Sequence, residues 1–254
     1  MAKVVTYRHL TDDVVAAPDQ ETEIPDNYRW EPSWRFRIKA NLVYAGSWLF
    51  AQGYCRSVLH VRNRKAFRQA AGRGYFVYGN HTQPFGDVFT PMRVNQSRRV
   101  FTLASPANLS VPILGRIVPY GGGLLVPSKL HQLRPFAQAI RRVIKQRHVV
   151  MIYPEAHVWP YYTGIRPFEN GAFHYPVTTN APVFATTMTY QARRWRQKPR
   201  RILYVDGPFW PDEQLPLKAR QQQLEAQVRT AMTTRAALST ACLLYTSPSP
   251  RDCS

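Results

Sequence analysis

Tyr75-Phe76-Val77-Tyr78-Gly79-Asn80-His81-Thr82-Gln83-Pro84-Phe85-Gly86-Asp87 is an apolar run that ends in a histidine and is followed closely by a carboxylate. Its first residues read as a buried strand. Its end is raw material for a general base, because a histidine with a reference pKa of about 6.5 accepts a proton near neutrality when a carboxylate holds its other ring nitrogen. A second run, Val149-Val150-Met151-Ile152-Tyr153, ends in Pro154-Glu155-Ala156-His157. Two apolar strands thus deliver polar groups at their carboxyl ends, the edge at which open α/β sheets bind ligands.

The surrounding sequence alternates strand-like and helix-like runs. Further strands are predicted at Val100 to Ala104, Val183 to Tyr190 and Ile202 to Val205. Between two of them Leu133, Phe136, Ala137, Ile140 and Ile144 recur at three- and four-residue steps, which predicts a helix over about 130–147 with Arg134, Arg141, Arg142, Lys145 and Arg147 on a solvated face. A polar helix is predicted over 217–238. The fold class is therefore α/β, a mostly parallel or mixed sheet flanked by helices.

Residues 1–32 form a polar leader punctuated by Pro18, Pro25 and Pro32, expected to be loosely structured and without the pattern of a secretory signal. The segment 33–65 is apolar and aromatic, but Asn41, Gln52 and Arg56 interrupt it, leaving too short a run for a spanning helix, which needs about 20 apolar residues. It is expected to be an amphipathic membrane-interface helix flanked by Arg35, Arg37 and Lys39 before and Arg62, Arg64 and Lys65 after, or else a helix packed on its own domain. Residues 66–240 are expected to form the main domain, which holds both of the polar strand ends. The end of the chain, 241–254, looks like one reading frame of a sequencing-adapter oligonucleotide, which sets Cys242 and Cys253 aside and leaves Cys55 as a packed thiol suited to a reducing cytoplasm.

The chain has 254 residues, with 34 Lys and Arg against 15 Asp and Glu, a net charge of +19. Such an excess favours an anionic membrane surface, phosphorylated substrates or nucleic acid. No zinc-ligand spacing, Walker loop or dinucleotide-binding turn is present, and Gly121-Gly122-Gly123 reads as a simple bend.

Four blocks in order resemble the glycerolipid acyltransferases, the lysophosphatidic acid acyltransferase-like (1-acyl-sn-glycerol-3-phosphate acyltransferase) family. They are Asn80-His81 with Asp87; Pro112 to Pro119 around Gly115; Tyr153 to Val158 with Pro167 to Phe173; and Ala181 to Ala185 around Pro182. Two departures mark the chain as divergent. Five residues separate His81 from Asp87 where the family has four, and Val158 and the region of Gly121 stand where the family carries phosphate-binding arginines. Arg116, Lys129 and Arg166 are the candidates to replace them, since guanidinium groups bind phosphate bidentately and lysine acts as a point charge, and Arg166 is the one expected on the acceptor phosphate because it lies between the glutamate block and Gly171.

The resemblance implies an acyltransferase in which His81 deprotonates the free hydroxyl of a lysophospholipid acceptor such as lysophosphatidic acid. Asp87 fixes the imidazole tautomer, and the acyl group comes from a thioester donor, acyl-CoA or acyl-acyl carrier protein. It places Asn80, Glu155 and Gly171 at the substrate site, with His157 donating to phosphate or lining a polar loop. Glu155 has a salt bridge or cap as its structural alternative. Trp159, Tyr161 and Tyr162 border an acyl chain or pack on the sheet. No bound cofactor or metal is implied, and the expected place of work is the cytoplasmic face of the cell membrane, as a peripheral or monotopic protein. Two other classes stay open: a catalytically weak membrane-binding relative, and a basic nucleic-acid-binding protein, which no recognisable motif supports.

Overall fold

A computed structural model describes residues 3–7, 9–15, 18–30, 33–95, 98–112, 114–169, 171–194, 196–241 and 244–248. Pro32, Ile113, Asn170, Cys242 and Cys253, on which parts of the sequence reading fall, lie outside the described residues.

Seven strands form one sheet in the order β2-β8-β7-β3-β6-β4-β5. They are β2 (Leu59–Arg62), β3 (Tyr75–Gly79), β4 (Val100–Ala104), β5 (Gly123–Leu125), β6 (Val149–Ile152), β7 (Val183–Arg193) and β8 (Arg196–Phe209). Every pairing is parallel except β7 with β8. A separate parallel pair joins β1 (Lys3–Tyr7) to β9 (Leu244–Pro248). The predicted α/β class with a mostly parallel sheet and flanking helices is the observed one.

The central strands are buried on both faces, which is why they read as continuous apolar runs rather than alternating ones. Phe76 and Tyr78 of β3 and Val150 and Ile152 of β6 point into one core layer, covered by α4 (Leu130–Lys145), α5 (His174–Thr179) and α6 (Leu217–Ala236). Tyr75 and Val77, with Val149 and Met151, point into the other, beneath α1 (Trp34–Val58) and the 3-10 helix Arg64–Ala70. On α4, Phe136, Ile140 and Ile144 are buried as the spacing predicts, whereas Leu133 lies exposed in the first turn. The short helices α2 (Thr90–Val94) and α3 (Leu114–Ile117) follow β3 and β4 on the edge where those strands end.

Ser33 starts α1 by accepting a hydrogen bond from the Phe36 amide at 3.3 Å. Ala40, Ala51 and Cys55 are buried on its inner side, while Trp34, Ile38, Leu42, Leu49 and Phe50 stand exposed. Apolar residues therefore occupy both faces of the helix, which packs on its own domain through Ala51 and Cys55 and presents further apolar side chains outward. No helix among the described residues is long and apolar enough to cross a membrane.

The leader is anchored rather than loose. Ile24 and Trp30 are buried in the α4 core, the Trp30 indole donates to the Leu125 carbonyl at 3.0 Å, and the Gln132 amide donates to the Pro25 carbonyl at 3.1 Å. Gly122, at φ +101°, turns the chain into β5. A Cβ there would sit 2.6 Å from the Val100 carbonyl oxygen, so the bend needs glycine.

Candidate active site

His81 leaves β3 at its carboxyl end, and Asp87 returns to it through the turn 84–89. Pro84 and Gly86 keep that segment out of a helix, and the amides of Phe89 and Thr90 both donate to the Gly86 carbonyl. The loop takes up its five intervening residues by turning Phe85 outward, 56% exposed, and still sets His81 Nδ1 2.7 Å from Asp87 Oδ2. The same carboxylate oxygen accepts from the Gln83 main-chain amide at 2.9 Å, and the other oxygen accepts from the Gln83 side chain at 3.2 Å. With Nδ1 engaged, Nε2 is the ring nitrogen left to take a proton. The His81 side chain keeps 20% of its surface in solvent while Asp87 is nearly enclosed.

The loop after β6 is laced to the loop after β3. The Trp159 amide donates to the His81 carbonyl at 3.0 Å and the Tyr161 amide to the Thr82 carbonyl at 2.8 Å. Glu155 accepts the His81 main-chain amide on Oε2 at 3.2 Å and the Arg166 amide on Oε1 at 2.9 Å. Its carboxylate also pairs with the Arg166 guanidinium at 3.2 Å, and both side chains are enclosed, at 0% and 1% exposure. Burial raises the Glu155 pKa and lowers that of Arg166, and their mutual attraction offsets only part of it.

The other residues singled out from sequence are placed as follows. Asn80 is buried and brackets β3 to β7, accepting from the Met188 amide at 2.7 Å and donating to the Met188 carbonyl at 3.0 Å. Arg166 is engaged beneath the surface with Glu155 and the carbonyls of Leu10 and His157, and lies over the Trp159 ring. Trp159 is fully buried. His157 Nδ1 lies 3.4 Å from the Asp13 carboxylate. Lys129 bridges Asp26 at 2.8 Å and Glu23 at 3.2 Å, Arg116 is exposed on α3, and Gly171 is an exposed turn residue at φ +83°. Of the nine, the structure brings His81, Asp87 and Glu155 into direct contact, with Arg166 bonded behind Glu155.

Three further residues belong to the same network. Tyr153 stacks on the His81 ring, and Gln83 holds Asp87. Arg201, on β8, donates to the Gln83 side-chain oxygen at 3.3 Å and to the Tyr54 hydroxyl at 3.3 Å. Gln83 lies inside the first family-like block and Tyr153 opens the third, so both were within sight. Arg201 had no local signal, because its partner is 118 residues away. No group of His, Cys, Asp and Glu among the described residues is arranged to hold a metal ion.

No family model and no curated protein matches the chain. Among solved structures, it is similar to the 1-acyl-sn-glycerophosphate (LPA) acyltransferase PlsC from Thermotoga maritima, with a TM-score of 0.54 and 13% identity over 82% of this chain and 80% of that one. The likeness is one of fold. At that identity it carries the architecture of the sheet and its helices, and the chemistry rests on this chain's own residues.

Proposed function

We propose that the chain is an O-acyltransferase that moves a fatty acyl group from a thioester donor, acyl-CoA or acyl-acyl carrier protein, to the free hydroxyl of a lysophospholipid such as lysophosphatidic acid. The observation that carries this reading is the 2.7 Å contact of His81 Nδ1 with Asp87 at the carboxyl edge of the sheet, with Nε2 left to act. His81 Nε2 takes the hydroxyl proton as the acceptor oxygen attacks the thioester carbonyl. The carbon–sulfur bond then breaks, and the thiolate leaves with a proton returned by the imidazolium. Asp87 holds the tautomer and stabilises the charged ring. No acyl-enzyme is needed.

The surroundings support a lipid acceptor. Phe85, inside the His81–Asp87 loop, packs edge-on against Phe50 and Tyr54 of α1. The exposed Leu42, Leu49 and Phe50 continue this apolar surface along the helix. An apolar patch of this kind beside a basic protein surface suits a peripheral or monotopic seat on the anionic cytoplasmic leaflet. For the acceptor phosphate, Arg201 is the cation joined to the dyad network, and Arg116 and Lys129 follow β4 and β5 on the same sheet edge. Arg166, being enclosed, acts through Glu155.

The test is acyl transfer by the purified chain on vesicles carrying several lysophospholipids, with acyl-CoA and acyl-acyl carrier protein compared as donors. A positioned base supplies about 10²- to 10⁴-fold in rate, so His81→Ala should lose that much with vesicle binding kept. Near-normal transfer by His81→Ala rejects the reading. An inactive wild-type chain that binds vesicles supports the catalytically weak relative instead, and tight salt-sensitive RNA binding supports a nucleic-acid partner.

A further inference from the structure

One margin of the sheet is strongly basic. Across β2, β7 and β8 the sequence holds Arg62, Arg193, Arg196, Lys198, Arg200 and Arg201 against a single acidic residue, Asp206, and the Arg235 guanidinium takes that carboxylate at 2.6 Å. Arg201 points toward α1, where it donates to Tyr54. Successive strand residues face opposite ways, so Arg200 faces away from α1, as do Gln191, which stands opposite it, and His60, which stands opposite Ile202. The Gln191 side chain marks that side by donating to the Leu238 carbonyl, just past α6, at 2.7 Å. His60, Arg62, Arg193, Lys198 and Arg200 are all exposed. Partial desolvation, and then the charges of Arg200, Arg193 and Arg62, hold the His60 pKa below its ordinary value, so these three guanidinium groups converge on one patch.

The patch reaches the edge at which the dyad sits. β7 runs parallel to β3, and its Tyr190 hydroxyl lies 2.9 Å from the hydroxyl of Thr82, the residue after His81. Arg193 is three residues beyond Tyr190, about 10 Å further along the strand, so the β7–β8 hairpin projects from the carboxyl edge of the sheet. At its other end Arg62 stands level with Tyr204, and Tyr204 with Thr187, six residues before Arg193. The basic strip is therefore about 20 Å long. One phosphate covers only a fraction of that length. A lipid surface meets the molecule elsewhere, because Leu42, Leu49 and Phe50 look outward from α1, on the other side of the sheet. What matches a long, exposed, basic strip facing away from the apolar surface is a folded partner with an acidic face.

We infer that this patch docks an acidic carrier protein, which presents its acyl thioester at the sheet edge beside the dyad. The inference rests on the acyl transfer proposed above and selects the protein-borne donor over acyl-CoA. The probe is acyl carrier protein, itself acidic, with its pantetheine arm free of an acyl group, titrated into the full chain by calorimetry. Binding of one carrier per chain is expected, weakening steeply as salt is raised. Arg62→Glu/Arg200→Glu should weaken it about tenfold or more with the melting temperature unchanged, and the milder Arg62→Gln/Arg200→Gln should weaken it in the same direction. In turnover the glutamate pair should raise KM for acyl-acyl carrier protein by about tenfold and leave kcat and the KM for acyl-CoA as they are. His81→Ala should bind the carrier as wild type does, which separates docking from catalysis: a wild-type chain that binds the carrier and transfers nothing upholds the patch and removes the acyl transfer. Absence of carrier binding by the wild type, unchanged binding by both arginine pairs, or a glutamate pair that loses vesicle co-sedimentation while keeping the carrier would each overturn the inference.

Discussion

The His81 and Tyr153 rings lie face to face, centroids 4.3 Å apart and planes 17° from parallel, while the Tyr153 hydroxyl donates to the Asp87 carbonyl at 2.7 Å. One side chain at the end of β6 therefore braces both members of the dyad. Burial holds the phenol pKa well above its ordinary value, so it stays a donor at any working pH. Tyr153→Phe keeps the ring and gives up a hydrogen bond of about 1 kcal/mol, a several-fold fall in kcat. Tyr153→Ala also frees the imidazole and should cost about 10²-fold. Equal losses in the two variants would show that stacking contributes nothing.

Arg201 reaches the dyad through Gln83. Arg201→Met should lower kcat roughly tenfold with folding intact, on the scale of one charge-assisted hydrogen bond. Arg201→Lys recovers only part, since the Nη1 that holds both Gln83 and Tyr54 sits at the end of a planar guanidinium whose reach and orientation an ammonium does not reproduce. KM for the phosphorylated acceptor should rise as well, as the proposed phosphate contact requires, and an unchanged KM would take Arg201 off the substrate and leave it only a positioning role through Gln83.

The Glu155–Arg166 pair is costly to break by halves. Arg166→Met leaves a carboxylate enclosed without its cation, and a loss of about 3–5 kcal/mol is expected by urea denaturation. Adding Glu155→Gln keeps an acceptor for the His81 amide and removes the charge, so the double variant should be more stable than Arg166→Met alone. Additive losses would mean that the two side chains do not act as a pair.

Cys55 is buried on α1, and burial pushes its thiol up to about 11 from an ordinary value of 9.0. The folded chain keeps this proton after the unfolded chain has lost it. The contribution is therefore fully present below about pH 9 and is lost as pH rises toward 11. It amounts to about 2 kcal/mol. Cys55→Ala should flatten the fall in unfolding free energy over that window relative to wild type, and parallel pH profiles would refute the assignment.

Leu42 and Leu49, at 71% and 65% exposure, stand outside the core, so Leu42→Glu/Leu49→Glu should leave the melting temperature unchanged. Co-sedimentation with anionic vesicles should fall by about 10-fold or more, from lost apolar burial and added repulsion. Unaltered vesicle binding would move the docking face elsewhere.

What was legible in the sequence follows from burial. The strands β3 and β6 announce themselves because both faces are enclosed, β4 because Val100 to Ala104 is an apolar run although only Val100 is fully buried, and α4 because Phe136, Ile140 and Ile144 share one stripe. The strand β2 was hidden, since Leu59 to Arg62 continues the apolar run of α1 without a break, and β5 is only Gly123 to Leu125. The ends of β7 and β8 carry Arg193, Lys198 and Arg200, whose polarity masks a hairpin that projects past the core. At the site, His81, Asp87 and Glu155 were readable from local order. The enclosure of Arg166 was not, because it depends on the carbonyl of Leu10, a leader residue 156 positions away.

The pairing of Leu59 with Arg201 has a consequence for how the molecule is made. During synthesis β2 emerges early, yet its one partner strand among the described residues, β8, is nearly the last strand to leave the ribosome. Until then its unpaired backbone is open to other chains, and so sparse local pairing slows maturation. An early landing of α1 on a lipid surface would hold that orphan edge apart from its neighbours while the remaining strands arrive.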